Sequence, residues 1–313
     1  MLPERRAMTA YLLLGLVMLL WAGNSIVARG VRFDVPPLTL AFVRWLGASL
    51  ILLPFVWRTL RDDLPALRAS WKWVLALALL GISAFNGLLY PALHYTTASK
   101  ALLLQAAVPL LVMVLDRVLH GTGSSLWQKL GTVCSMLGVA VIVFEGQLER
   151  LLALHLGFGD GLLLGSVLVW ALYTVLLRHR PKVAPLSFLF VTFTIGALTM
   201  APLALWEWGE GARIVWSGKV VGAFAYVCVL PSIVSYLIYN KATDTVGPAR
   251  AGQAITLMPL FGAFLSAALL GEMLLDYHWE GMALILAGIA LGAMALRRQA
   301  TGAPAAPRLE DRA

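Results

Sequence analysis

Tyr90-Pro-Ala-Leu-His-Tyr-Thr-Thr-Ala-Ser-Lys-Ala-Leu-Leu-Leu-Gln-Ala-Ala-Val-Pro109 joins two apolar runs through a polar turn. His94 and Lys100 are its only basic groups, and Gln105 and Pro109 stand inside the second run, where a plain apolar helix needs neither. From Asn240 the pattern returns as Asn240-Lys-Ala-Thr-Asp-Thr-Val-Gly-Pro-Ala-Arg-Ala-Gly-Gln-Ala-Ile-Thr-Leu-Met-Pro259. Ala92 to Pro109 and Ala242 to Pro259 both span 17 positions. A polar, kinked hairpin that occurs twice inside an apolar chain points to a pathway through a membrane.

The rest of the chain agrees with a membrane setting. Of its 313 residues 60% are hydrophobic and only 13% are charged, about half the charged share of a soluble domain, roughly 25%. Cys134 and Cys228 both lie in apolar runs and imply no disulfide framework. The net charge of +8 reads as basic loops facing anionic lipid, with no nucleic-acid partner. Arg5 and Arg6 precede the first apolar run as in a signal peptide, but that run is long enough to span and has no small-x-small cleavage site. It is read as a retained first helix.

A span needs roughly 20 apolar residues. Ten windows qualify: 9–28, 37–57, 72–93, 98–119, 125–144, 157–177, 185–206, 218–240, 248–270 and 276–296. The chain is therefore expected to be an all-α integral membrane protein of ten transmembrane helices, with residues 299–313 a disordered cytoplasmic tail. Of the 24 Lys and Arg residues, 17 fall on the side of the termini and 6 on the other, with Arg44 inside helix 2. That bias places both termini in the cytoplasm, with the bacterial inner membrane as the expected site.

Trp21-Ala22 matches Trp170-Ala171, Arg29 matches Arg178, Pro36 matches Pro185 and Gly47 matches Gly196, each at an offset of 149. Pro109, Gly121, Gly131 and Gly138 match Pro259, Gly271, Gly281 and Gly288 at an offset of 150. Five helices per half make two repeats, 9–144 and 157–297. An odd helix number sends the second copy into the membrane from the opposite face, the inverted-repeat plan of many secondary transporters.

These motifs resemble the EamA-type repeats of the drug/metabolite transporter superfamily: the Trp-Ala pairs, "AFVRW" around Arg44, the mid-helix Pro109 and Pro259, and "LLGE" ending at Glu272. The likeness runs from about residue 9 to residue 297, and the aromatic richness is similar to YddG-type amino-acid exporters. The resemblance implies export of amino acids, aromatic and other neutral ones favoured, or of similar metabolites, by alternating access. Multidrug and nucleotide-sugar transport share the scaffold. Phe193 stands at the second-half position of Arg44 and Thr122 at the first-half position of Glu272, so neither role is duplicated.

Enzyme motifs are missing: there is no H-E-x-x-H, G-x-S-x-G or Walker loop, and Gly157-Phe-Gly159-Asp-Gly161 stops short of a dinucleotide fingerprint. No cofactor or metal is expected, and no ATP-driven mechanism. Polar groups in hydrocarbon are costly unless they line a cavity or find partners. Trp21 and Asn24 share one face of helix 1, while Asn86, Tyr90 and His94 recur every fourth residue of helix 3. With Gln105, Trp170, Tyr173, Tyr236, Tyr239 and Gln253 they are expected to wall a central cavity for a small amphipathic substrate. Asn24 and Gln105 could equally bridge helices, and His94 is either a loop-end residue or a proton carrier. Arg44 either snorkels to the interface, caps neighbouring carbonyls or meets a substrate carboxylate. Pro109 and Pro259 are candidate hinges. Helices 5 and 10, with their glycines, are scaffold, within a monomer or at a homodimer contact.

Overall fold

The computed structural model describes residues 3–95, 104–147, 149, 157–270 and 273–301. α1 is Pro3–Gly30 and α2 is Pro37–Ala69. α3 runs as Trp71–Ala78, a π-helical turn Leu79–Ala84, and Phe85–Tyr95. α4 is Val108–His120 and α5 is Leu126–Val143. In the second half, α6 is Phe158–Leu176 with a 3-10 turn Leu177–His179, and α7 is Pro185–Gly209. α8 runs as Gly218–Cys228, a π-helical turn Val229–Val234, and Ser235–Val246. α9 is Pro248–Ala254, a 3-10 turn Ile255–Leu257 and Met258–Leu270, and α10 is Asp276–Thr301.

Local chemistry sets several of these ends. Pro37 and Pro185 open α2 and α7, where a missing N–H costs nothing. Ser125 and Gln128 form a reciprocal capping box at the start of α5. Gly121 closes α4 in the left-handed conformation, φ 67°. α2 continues to Ala69, well beyond the apolar window ending at residue 57, because its backbone ladder outlasts its hydropathy. Seven helices among the described residues are long and apolar enough to cross a bilayer. The fold is a multi-pass helical membrane protein.

The packing follows the repeat. α2 pairs with α7, α5 pairs with α10, and α4 packs on α9. α3 lies on α6 as α8 lies on α1, and α4 lies on α6 as α9 lies on α1. Exchanging the halves maps this set of contacts onto itself. Between α5 and α10, a Cβ on Gly131 would collide with the Gly288 carbonyl, and one on Gly138 with the Gly281 carbonyl. Between these contacts the Cys134 thiol donates to the Leu284 carbonyl and the Ser135 hydroxyl to the Ile285 carbonyl, each at 3.3 Å and across 150 residues. A residue that meets its own counterpart lies on the axis relating the halves. The pair is antiparallel, so that axis is perpendicular to the helices and lies in the membrane plane. The repeats are inverted.

The two π-helical turns, Leu79–Ala84 and Val229–Val234, are also 150 residues apart. Nothing in "LLGISA" or "VLPSIV" announces them. Such turns disturb the i→i−4 ladder and are frequent at functional sites.

Candidate functional site

Trp21 of α1, Trp170 and Tyr173 of α6, and Tyr236 and Tyr239 of α8 converge where the halves meet. In α6 and α8 the two aromatics are three residues apart, which puts them on one helix face. Trp21 lies 5.2 Å from Trp170 and 5.2 Å from Tyr239, and Trp170 lies 5.9 Å from Tyr236. Several pairs are edge to face, as ring quadrupoles prefer. Phe85 joins Trp170 at 4.9 Å, and Trp45 and Phe193 extend the cluster through Tyr236 at 5.5 Å each.

The π-helical turns supply the polar edge. The Gly81 carbonyl accepts from the Tyr236 hydroxyl at 2.8 Å. At the equivalent position of the other half, the Pro231 carbonyl accepts from Trp21 Nε1 at 3.0 Å and from Arg44 Nη2 at 3.1 Å. Each turn is thus bonded by an aromatic residue of the opposite half. Gly81 must lack a Cβ, since one there would run into the Tyr173 ring. Tyr173 donates to Asn240 Oδ1 at 2.9 Å, and the Tyr239 and Thr174 hydroxyls are 2.9 Å apart.

The structure brings only some of the expected residues together. Trp21, Trp170, Tyr173, Tyr236 and Tyr239 form one contiguous cluster, with Tyr90 buried in the same core. Asn86 is buried beside the first π-helical turn, its Nδ2 donating to Ile82 and its Oδ1 without a partner among the described residues. Asn24 is half-buried one turn beyond Trp21. Gln253 stands apart: its Nε2 donates to the Gly288 carbonyl at 2.8 Å and ties α9 to α10. Gln105 is half-buried in a crevice shared with Thr256 and Pro259. His94 occupies the last turn of α3, and its side chain lies outside the described residues, as do residues 96–103.

The expected open cavity takes a different form. No ring of the five exceeds 9% exposure, because the aromatics fill the space between the halves with one another. Pro109 and Pro259 sit in the first turns of Val108–His120 and Met258–Leu270, just after equivalent breaks at residues 106–107 and Ile255–Leu257. Phe85 carried no signal in the sequence, and Trp45 and Phe193 entered only through the Arg44 motif and its repeat position, since an apolar ring facing protein reads like one facing lipid.

The chain matches the EamA-like transporter family twice, over residues 8–144 and 157–294. The chain belongs to the EamA-like transporter family. This transporter is 30% identical to an uncharacterized transporter of Archaeoglobus fulgidus, over 90% of its own length and 96% of the relative's. It is 25% identical to the uncharacterized transporter YyaM of Bacillus subtilis, over 89% and 91% of the two chains. Its identity to YicL, an uncharacterized inner membrane transporter of Salmonella typhimurium, is 23%, over 91% and 95%. A solved crystal structure of a protein shares the fold with a TM-score of 0.70 at 18% identity, covering 93% of this chain and 98% of that one.

Both ends of the transporter are tied. On the side of the termini, Asp116 of α4 pairs with Arg178, and His120 Nδ1 lies 3.2 Å from the same carboxylate. The His120 and His179 Nε2 atoms are 3.0 Å apart, and His179 stacks on Trp73 at 4.2 Å. α3 and α4 of the first half are thereby joined to α6 of the second. At the opposite end, the Glu207 carboxylate of α7 caps α2. It accepts from the Leu38 and Thr39 N–H groups at 2.9 and 2.7 Å and from the Thr39 hydroxyl at 2.9 Å.

Proposed function

We propose that this transporter exports neutral amino acids, aromatic ones foremost, or similar small metabolites across the bacterial inner membrane by alternating access. One observation carries the reading: the aromatic cluster lies on the interface between inverted halves, and hydrogen bonds crossing that interface hold it. Rocking one half against the other parts those contacts and opens an aromatic-walled space with a few polar groups, the usual make-up of a small-molecule site. Pro109 and Pro259, at matched helix breaks, are the hinges of that motion. The resemblance to YddG-type exporters supports the substrate class. The name of the Salmonella relative, an inner membrane transporter, supports the membrane.

A lipophilic cation fits less well. Among the described residues the buried carboxylates Asp116, Asp160 and Glu207 stand at helix ends, leaving no counter-charge at the rings.

The test is flux of phenylalanine and tryptophan into proteoliposomes, with and without a pH gradient. Uptake by the wild type, lost in Trp170→Ala and kept in Trp170→Phe, is the expected result. If vesicles holding folded protein move no amino acid, the substrate class is wrong, and flux of lipophilic cations or nucleotide sugars then tests the other uses of this scaffold.

A further inference from the structure

Arg44 is 5% exposed and lies seven residues into α2, roughly 10 Å from the helix end at 1.5 Å per residue. Its Nε donates to the Ser232 hydroxyl at 2.6 Å and its Nη2 to the Pro231 carbonyl at 3.1 Å. The guanidinium carbon lies 4.4 Å from the centre of the Trp45 ring. These partners are all neutral. Among the described residues, no carboxylate comes within ion-pair distance of Arg44. A guanidinium has five N–H donors, and the hydrogen bonds here use only Nε and one on Nη2. A buried charge without a counter-ion is expensive, and an ionisable group inside a membrane span marks a functional site by default.

The position of this charge is specific. Arg44 Nη2 and Trp21 Nε1 donate to the same Pro231 oxygen, so the guanidinium adjoins the aromatic cluster through one shared atom. The other half lacks the arrangement. Phe193 replaces Arg44, Ile82 replaces Ser232, and the Gly81 carbonyl accepts from Tyr236 instead. Among the described residues the site therefore carries one cation on one side and rings on the other. That asymmetry suits a ligand with one anionic end and an apolar body, and among those residues a phosphate dianion would find no second cation.

We infer that Arg44 and Trp21, held together on the Pro231 carbonyl, form an anion subsite that takes the carboxylate of a small substrate with an apolar body. The inference rests on the transport reading above and names the end of the substrate that is recognised. The unused guanidinium N–H groups offer a carboxylate paired, charge-assisted hydrogen bonds, and the apolar body lies among the rings.

The test uses the purified full chain in detergent and three probes of one shape: phenylalanine, 3-phenylpropionate without the ammonium, and phenethylamine without the carboxylate. Quenching of tryptophan emission reads binding. Both carboxylates are expected to bind at least about tenfold tighter than the amine, as a charged hydrogen bond predicts. Arg44→Gln weakens both carboxylates by about tenfold or more and leaves the amine unchanged, while Arg44→Lys, which keeps the charge, weakens them less. Three results overturn the subsite: amine binding by the wild type as tight as that of the carboxylates, equal weakening of all three probes in Arg44→Gln, or no binding of any probe. The wild-type comparison needs no variant to fold. Vesicle flux is read separately. Carboxylate-selective binding without amino-acid flux sinks the export reading and leaves the subsite standing; amine flux equal to amino-acid flux does the reverse.

Discussion

The indole rings of Trp21 and Trp170 meet edge to face at 5.2 Å and 85°, and the two residues hold the same position in the two halves, 149 residues apart. Like the α5–α10 contact at Ser135 and Ile285, this pair lies on the axis that exchanges the repeats. Any movement of one half against the other changes the contact, so the pair sits where an inverted-repeat transporter must rearrange.

Trp21→Ala and Trp170→Ala should each destabilise the protein by about 3–5 kcal/mol, the usual cost of deleting a large buried side chain. The double variant should lose less than the sum, by roughly 0.5–1.5 kcal/mol for the shared ring contact. Unfolding in detergent measures both quantities. Strict additivity would mean that the rings touch without energetic coupling.

At the α5–α10 contact, Gly138→Ala and Gly281→Ala each place a methyl group against an opposing carbonyl. Each should cost about 1–3 kcal/mol, as overpacking does. Gly15→Ala and Gly222→Ala, with nothing within 4 Å of the added carbon, should instead stabilise their helices by up to about 1 kcal/mol. Midpoints of thermal unfolding should separate the two classes.

Glu207→Ala removes the carboxylate that caps α2 and leaves the Leu38 and Thr39 N–H groups without it. The expected loss is about 1–2 kcal/mol. Glu207→Gln keeps one acceptor oxygen and should lose less. Equal losses for the two variants would show that charge, rather than hydrogen bonding, does the capping.

Asp116→Asn weakens the tie between α4 and α6 by removing the charge that Arg178 and His120 share. The end of the bundle carrying the termini should then open more often. Spin labels at Lys72 and Lys241 should report a longer and broader distance distribution than in the wild type. An unchanged distribution would mean that this network does not hold the end closed.

Pro109→Ala and Pro259→Ala restore an N–H beside each helix break and favour a continuous helix. If the breaks are hinges, each variant should slow flux on the order of tenfold, about 1.4 kcal/mol of barrier, while phenylalanine still binds. Loss of binding together with flux would assign the prolines a static role.

Much of this architecture was legible in one sequence. Windows of apolar residues located the spans, and the 149–150 offset exposed the repeat and its inversion through the odd helix number. The Trp21–Trp170 pair stood out because tryptophan seldom recurs at a repeat offset by accident. Hydropathy and periodicity record which residues avoid water, and a membrane helix satisfies its own backbone, so span and topology are local properties. Which apolar face meets protein and which meets lipid is not local, because both surroundings are equally apolar. Only the tertiary structure, therefore, showed the aromatics packed against one another and Gln253 bonded to the Gly288 carbonyl of α10. It also revealed the paired π-helical turns and set Arg44 beside Trp21 on a single carbonyl oxygen.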